Sequence, residues 1–210
     1  MEKPPTMSPA PARIRPHVLK LGGSLLGAPR LRELLARLAQ IGAPIVVVGG
    51  GGPLADAVRA LQPRLALSER AAHRMAILAM EQTAEALADL ESGLIPCTDA
   101  DAIDGAHYAG CAALWLPAAM ALDADAAELP ESWDVTSDSL AAWLALRLGA
   151  RLTLVKAAAV TTPDGPPETW VAQGLVDAHF PHLAARLPGM VRAMSLDDAL
   201  TTEFPLGTAA

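Results

Sequence analysis

Apolar residues fall along the chain in two alternating rhythms. Short unbroken runs of strand length occur at HVLKL (17–21), PIVVV (44–48), LIPC (94–97), CAALWLP (111–117) and ARLTLVK (150–156). A run that is apolar on successive residues buries both faces, as strands of a parallel sheet do. Between these runs, apolar residues recur every three or four positions, the period of a helix. Residues 29–42 put Leu31, Leu34, Leu35 and Leu38 on one face, with Pro29 to open the helix and Gly42 to close it. Residues 68–92 form a long helix that Ser68 can cap and Gly93 can end. Residues 136–149, TSDSLAAWLALRLG, start on hydroxyl residues and stop on glycine. Strands that alternate with helices predict an α/β fold with a mostly parallel sheet.

The pattern weakens elsewhere. Residues 123–135 read as a loop, and 157–181 carry no clear period. A short helix, a strand near MVRAM (190–194) and a tail EFPLGTAA close the chain. Residues 1–16 are proline-rich and lack the apolar core of a signal peptide, so they are expected to be a disordered tail. Residues 17–210 are expected to form one domain. Composition narrows the function. The net charge is −7, which argues against a nucleic-acid surface, and no apolar run is long enough to span a membrane. A cytoplasmic location follows as the expectation. Cys97 and Cys111 lack metal-ligand spacing and are expected to be buried, reduced thiols. The apolar helix over 71–90 offers a face for a homo-oligomer.

Two glycine clusters carry the chemistry. GGSLLG (22–27) follows the first strand as a loop, and four glycines (49–52) follow the second, with Pro53 suited to the first helical position. In a parallel sheet, ligands gather at the carboxyl ends of the strands. Bare N–H groups beside helix N-termini favour an anion, with phosphate the natural guest. GGGPLA (50–55) also matches a relaxed dinucleotide fingerprint, with Glu69 at the distance of a ribose contact. A dinucleotide-dependent oxidoreductase is therefore one reading, and a tight turn without ligand another.

Lys20 stands two residues before the first glycines, in an apolar strand whose Leu19 and Leu21 point to the other face. A lysine buried there needs an anionic partner. Asp138, within Thr136-Ser137-Asp138-Ser139, can hold Lys20 and a second cation, or lie near Mg²⁺, while the segment also caps its helix. Lys156 ends the strand LTLVK at the same edge. His73 and Arg74, early in the long helix, are candidate ligands. Asp99, Asp101 and Asp104 lack the later glutamate of a calcium loop, and no metal site is assigned to them.

A strand ending K-x-GGS, a second ending in a glycine run before a helix, and a later T-S-D-S-L-A-A helix together resemble the amino-acid kinase superfamily. The order and spacing agree over residues 17–156, and LGT (206–208) looks like the family's final strand. The resemblance implies a three-layer αβα sandwich that moves the γ-phosphoryl of ATP, with Mg²⁺, to a small acceptor. It implies that Lys20 contacts the transferring phosphoryl and that Gly22, Gly23 and Ser24 cradle the ATP phosphates. Gly50, Gly51 and Gly52 would face the acceptor, with His73, Arg74, Thr136 and Ser137 around it. Asp138 would organise the cations, and Lys156 would lie at the nucleotide end. Two family features are altered: VKAAAV (155–160) replaces TD-x-x-GV, and LPGMVR (187–192) is a poor echo of the lysine-bearing loop near the C-terminus. Arg192 or Lys156 is left to supply the second cation. The stretches AHRMAILAM (72–80) and SWDVTSDSLAAWLA (132–145) are similar to the branch that phosphorylates 5-(aminomethyl)-3-furanmethanol phosphate in methanofuran biosynthesis. The acceptor implied is a phosphorylated or carboxylated small molecule. A non-catalytic binding or storage protein on the same fold is the third reading.

Overall fold

The computed structural model describes residues 15–124, 128–189 and 191–204. Most of the expected N-terminal tail and the segment LGT lie outside the described residues. The elements run β1 (His17–Leu21), a 3-10 turn (Gly23–Gly27), α1 (Leu31–Ile41), β2 (Ile45–Gly49), α2 (Gly52–Leu65) and α3 (Glu69–Leu90). They continue with β3 (Leu94–Cys97), α4 (Ala100–Tyr108), β4 (Ala112–Trp115), α5 (Ala118–Ala121), α6 (Ser137–Leu148) and β5 (Arg151–Lys156). The last are α7 (Pro167–Ala172), α8 (Phe180–Ala184), β6 (Val191–Ser195) and α9 (Leu196–Thr201).

The described strands form one sheet in the order β3-β4-β2-β1-β5-β6, and every pair is parallel. Central β1 and β2 are buried throughout, which is why their apolar runs show no alternation. Successive residues serve opposite faces. Val18, Val46, Val48, Leu152 and Leu154 join a cluster with Leu140, Leu144, Trp170 and Phe180, under α4, α6, α7 and α8. Leu19, Leu21, Ile45, Val47 and Val155 join the opposite cluster with Leu34, Leu35, Leu38 and Leu200, under α1 and α9. Helices on both faces make the αβα sandwich.

Local chemistry explains most boundaries. Ser68 Oγ accepts the Ala71 N–H, which opens α3. Gly149, at φ +61°, closes α6 in the left-handed region. Helix α6 is buried from Asp138 through Ala145. A helix that is apolar all round is a core helix, and α6 lies between the sheet and α8.

Several elements depart from the sequence reading. GGSLLG is not an open loop but a 3-10 turn pinned by the buried Leu25. Residues 100–108 form α4, capped by Asp99, which accepts the Ala102 N–H at 2.8 Å. Asp99 thus works as a helix cap. Cys97 is buried, whereas Cys111 is only half-buried, because it sits in the turn between α4 and β4. The unpatterned 157–181 stretch holds α7 and the start of α8. It is anchored by two aromatic rings: Trp170 donates to the Thr162 carbonyl at 2.9 Å and packs against Phe180 at a ring separation of 6.3 Å. Both rings are fully buried. Trp170→Ala is expected to lower stability by about 3–5 kcal/mol, the usual cost of emptying a large aromatic site. Urea unfolding followed by far-UV circular dichroism checks this, and a loss below 1 kcal/mol would show that the stretch is not tied to the core.

Candidate active site

Lys20 shares a strand face with Val18, and Lys156 shares one with Leu152 and Leu154, so both ammonium groups point toward α6. Asp138, in the first turn of α6, meets them there. Its Oδ1 lies 2.8 Å from Lys20 Nζ and accepts from Lys156 Nζ at 2.7 Å. The three residues are 3%, 9% and 6% exposed for Lys20, Lys156 and Asp138. Burial pushes the Asp138 carboxyl up, but the two ammonium groups outweigh it and hold the group below the usual carboxylate range. Burial, reinforced by the charge on Lys20, draws Lys156 down to about 8, against the opposing pull of Asp138 and then Asp177. One carboxylate between two ammonium groups leaves one positive charge in excess. The site is therefore built to receive an anion.

Of the two candidates for the second cation, the structure brings Lys156 to Asp138 and not Arg192. Arg192 lies near the amino end of β6, opposite Thr153, and pairs with Asp164 at 2.7 Å. It lines a cavity of about 550 Å³ with His17 and Phe204 at the amino edge of the sheet. Lys156 ends β5 at the carboxyl edge, the side where parallel sheets bind ligands.

The two glycine loops meet backbone to backbone. A Cβ on Gly23 would stand 2.4 Å from Gly52 N, and one on Gly50 would stand 2.6 Å from Gly23 N. Side chains are absent because each loop is the other's wall. The N–H of Gly22 donates to the Val155 carbonyl and that of Gly50 to the Leu21 carbonyl, both at 2.9 Å. These two groups extend the sheet and are not free for a ligand, contrary to the expectation that they would cradle phosphate or acceptor. The N–H groups of Gly23, Ser24, Gly51 and Gly52 stand at first turns and have no carbonyl acceptor among the described residues. They are the available anion donors.

A second cavity, of about 300 Å³, opens beside these loops. Gly23, Ser24, Gly51, Gly52, Thr136 and Ser137 line it from the glycine loops and the start of α6, and Asp56, Arg59, His73, Ile77, Met80 and Trp133 line it as well. His73 is buried there. Desolvation holds its imidazole below its ordinary value, despite the Ser132 backbone and the Glu131 charge, so it is neutral at pH 7. Arg74 does not line this cavity. It is the next residue on α3, about 100° further round the helix, and it faces solvent. Glu69 is not placed for a ribose either: it accepts from Gln62 Nε2 of α2 at 2.8 Å.

Sequence reasoning missed Asp177. Thr136 is the N-cap of α6 but makes no side-chain cap bond of its own. Asp177 supplies the cap from outside the helix. Its Oδ2 accepts from Thr136 N, Thr136 Oγ1 and Ser139 N at 2.9, 2.8 and 3.0 Å. Its Oδ1 accepts from Ser139 Oγ at 2.5 Å and Phe180 N at 3.0 Å. The carboxylate fixes the turn that carries Asp138. The only signal in the sequence was an aspartate in a stretch without pattern.

Comparison with known proteins places the chain by family and by fold. Residues 16–167 match the amino acid kinase family. The chain is similar to (5-(aminomethyl)furan-3-yl)methyl phosphate kinase of Methanocaldococcus jannaschii, with 32% identity over 143 residues. That match covers 66% of this chain and 64% of the relative, so the chain spans just under two thirds of that protein. Among solved structures, uridylate kinase from Archaeoglobus fulgidus superposes with a TM-score of 0.64 at 17% identity, over 90% of this chain and 96% of that one. UMP kinase from Ureaplasma parvum gives 0.61 at 14% identity, over 90% and 92%. UMP kinase from Bacillus anthracis gives 0.62 at 12% identity, over 88% and 88%. At such identities the likeness is one of fold.

The charge arrangement has a direct spectroscopic consequence. In the ligand-free protein, the Lys156 side chain is expected to lose its proton near pH 8. Asp138→Asn and, more weakly, Asp177→Asn should move that midpoint lower, because each removes a negative charge that favours the ammonium. NMR titration of labelled lysine side chains reads this. A Lys156 midpoint near its ordinary 10.5 would show that the site is not desolvated.

Proposed function

The chain belongs to the amino acid kinase family, and from that membership we propose that it is an ATP-dependent phosphotransferase acting on a small phosphate ester, the aminomethyl-furanmethanol phosphate. The observation that carries this reading is the Lys20–Asp138–Lys156 triad at the carboxyl edge, beside two glycine loops with free N–H groups. Phosphoryl transfer needs positioning and charge neutralisation more than acids or bases. This site offers both. Gly23 and Ser24, with Lys20 and Lys156, would hold the nucleotide phosphates. Gly51 and Gly52, at the N-terminus of α2, would hold the acceptor anion. ATP supplies the phosphoryl group. An oxygen of the acceptor phosphate forms the new bond to the γ-phosphorus as the bond to the β,γ-bridging oxygen breaks, giving ADP and a diphosphate. Lys20 and Lys156 offset the charge that gathers on the γ-phosphoryl oxygens, and Asp138 keeps the two ammonium groups together.

The residues fit Mg²⁺ only as a companion of the nucleotide. Asp138 Oδ1 is already occupied by two ammonium groups. Among the described residues no cluster of three metal-ligating side chains occurs. Mg²⁺ would therefore be held chiefly by phosphate oxygens and water, its usual manner in such sites. No described helix is long and apolar enough to cross a membrane. The exposed Leu54, Leu65 and Leu78 on α2 and α3 favour a homo-oligomer, which light scattering reads directly.

The assay is coupled ADP release across furanmethanol phosphate, its unphosphorylated alcohol, acetylglutamate, aspartate, uridine monophosphate and isopentenyl phosphate. The furan phosphate is expected to turn over fastest and the alcohol poorly. Turnover of another acceptor would overturn the furan assignment, and turnover of none would favour a binding or storage role. Lys20→Ala should keep the fold and lower kcat roughly 10²–10³-fold, the scale for one lost charge-stabilising donor. The free enzyme's kcat/KM should fall above about pH 8, because Lys156 loses its proton there and the cation with it. A rate that still rises from pH 8 to 10 would remove Lys156 from the reaction.

A further inference from the structure

We propose that Asp56 takes the ammonium group of the acceptor, and so makes the site selective for a phosphate ester that also carries a primary amine. The inference rests on the reading above, in which an acceptor phosphate occupies the N-terminus of α2. The charges along the cavity run in one direction. Its glycine-loop side is electropositive, with free glycine N–H groups and, next to the Gly22 turn, the lysine pair. Its walls carry one carboxylate, Asp56, and one guanidinium, Arg59, since His73 is neutral. Asp56 stands one turn along α2 from Gly52, about 6 Å of rise. An acceptor anchored by its phosphate at the loop extends along α2 toward this carboxylate, between the apolar walls of Ile77, Met80 and Trp133.

Asp56 and Arg59 pair with each other at 3.3 Å, both well exposed. Such a pair is weak and readily exchanged. The exchange is asymmetric. Arg59 has a second partner: its guanidinium lies 4.4 Å from the centre of the Trp133 ring, and Trp133 is held by its Nε1–H donating to Gln62 Oε1 at 2.5 Å. An incoming ammonium can therefore replace Arg59 at Asp56 while Arg59 keeps its place on the indole face. An incoming carboxylate or second phosphate would instead take Arg59 and leave Asp56 unpaired beside another anion. The arrangement thus accepts a ligand that is negative at the loop and positive at the wall. Arg59 marks the place of that positive charge.

The test compares two acceptors with the same ring and phosphate, one bearing the aminomethyl group and one a methyl in its place. The wild-type protein is expected to favour the amine about tenfold or more in kcat/KM, the scale of a hydrogen bond to a charged group. Asp56→Asn should bring that ratio near one, chiefly through KM for the amine, and Asp56→Glu should restore part of it. A wild-type ratio near one, or a ratio unchanged in Asp56→Asn, overturns the assignment while leaving the kinase reading intact. Calorimetry with the same two compounds separates the two readings. If the amine binds in an Asp56-dependent way but no ADP is released, the role of Asp56 stands and phosphotransfer falls. If neither compound binds, the assignment falls as well.

Discussion

Two buried ammonium groups share a single carboxylate oxygen, and the site follows from that arrangement. Lysines are costly to bury without partners. Asp138 Oδ1 meets both at under 3 Å, yet it can neutralise only one. The remaining charge can be offset by a ligand anion at the carboxyl edge. The parallel pairing of β1 with β5 brings the two lysines to the same side: Lys20 is opposite Leu154, and Lys156 lies two residues further on the same face. A one-residue slip in that register would turn one ammonium into the leucine cluster under α1. The continuous apolar runs of these strands thus protect the chemistry as well as the core.

The glycines answer to a second constraint. Gly23 and Gly52 approach so closely that neither loop tolerates a Cβ at the contact, and the sheet bonds of Gly22 and Gly50 hold the loops at that distance. The tight contact between loops brings the free N–H groups of both to one place. Two donor sets on touching loops can hold two anions close to each other despite their repulsion.

Much of this was legible in the sequence, for physical reasons that differ from residue to residue. Lys20 was visible because a lysine in an apolar strand demands a partner, and Asp138 because a carboxylate at a helix start can provide one. His73 and Arg74 could not be told apart, since adjacent residues on a helix differ only in direction, which depends on what α3 packs against. Cys111 looked like a core thiol because composition does not reveal a turn. Asp177 was beyond reach: it acts on α6 from about forty residues away, within a stretch that shows neither strand nor helix period. The family match also ends at residue 167, inside that stretch and before Asp177. Arg192 and Lys156 looked equivalent until strand direction put them at opposite edges of the sheet.

The cap that Asp177 places on α6 also bears on how such a protein can diverge. The segment from 157 to 181 is held at three points, Trp170, Asp177 and Phe180, and only Asp177 reaches the start of α6. Insertions, deletions and drift between the anchors leave the lysine pair untouched as long as one carboxylate still arrives at the start of α6. Lineages can therefore remodel the covering surface on that side of the sheet, and with it whatever the surface meets, without renegotiating the charge balance beneath.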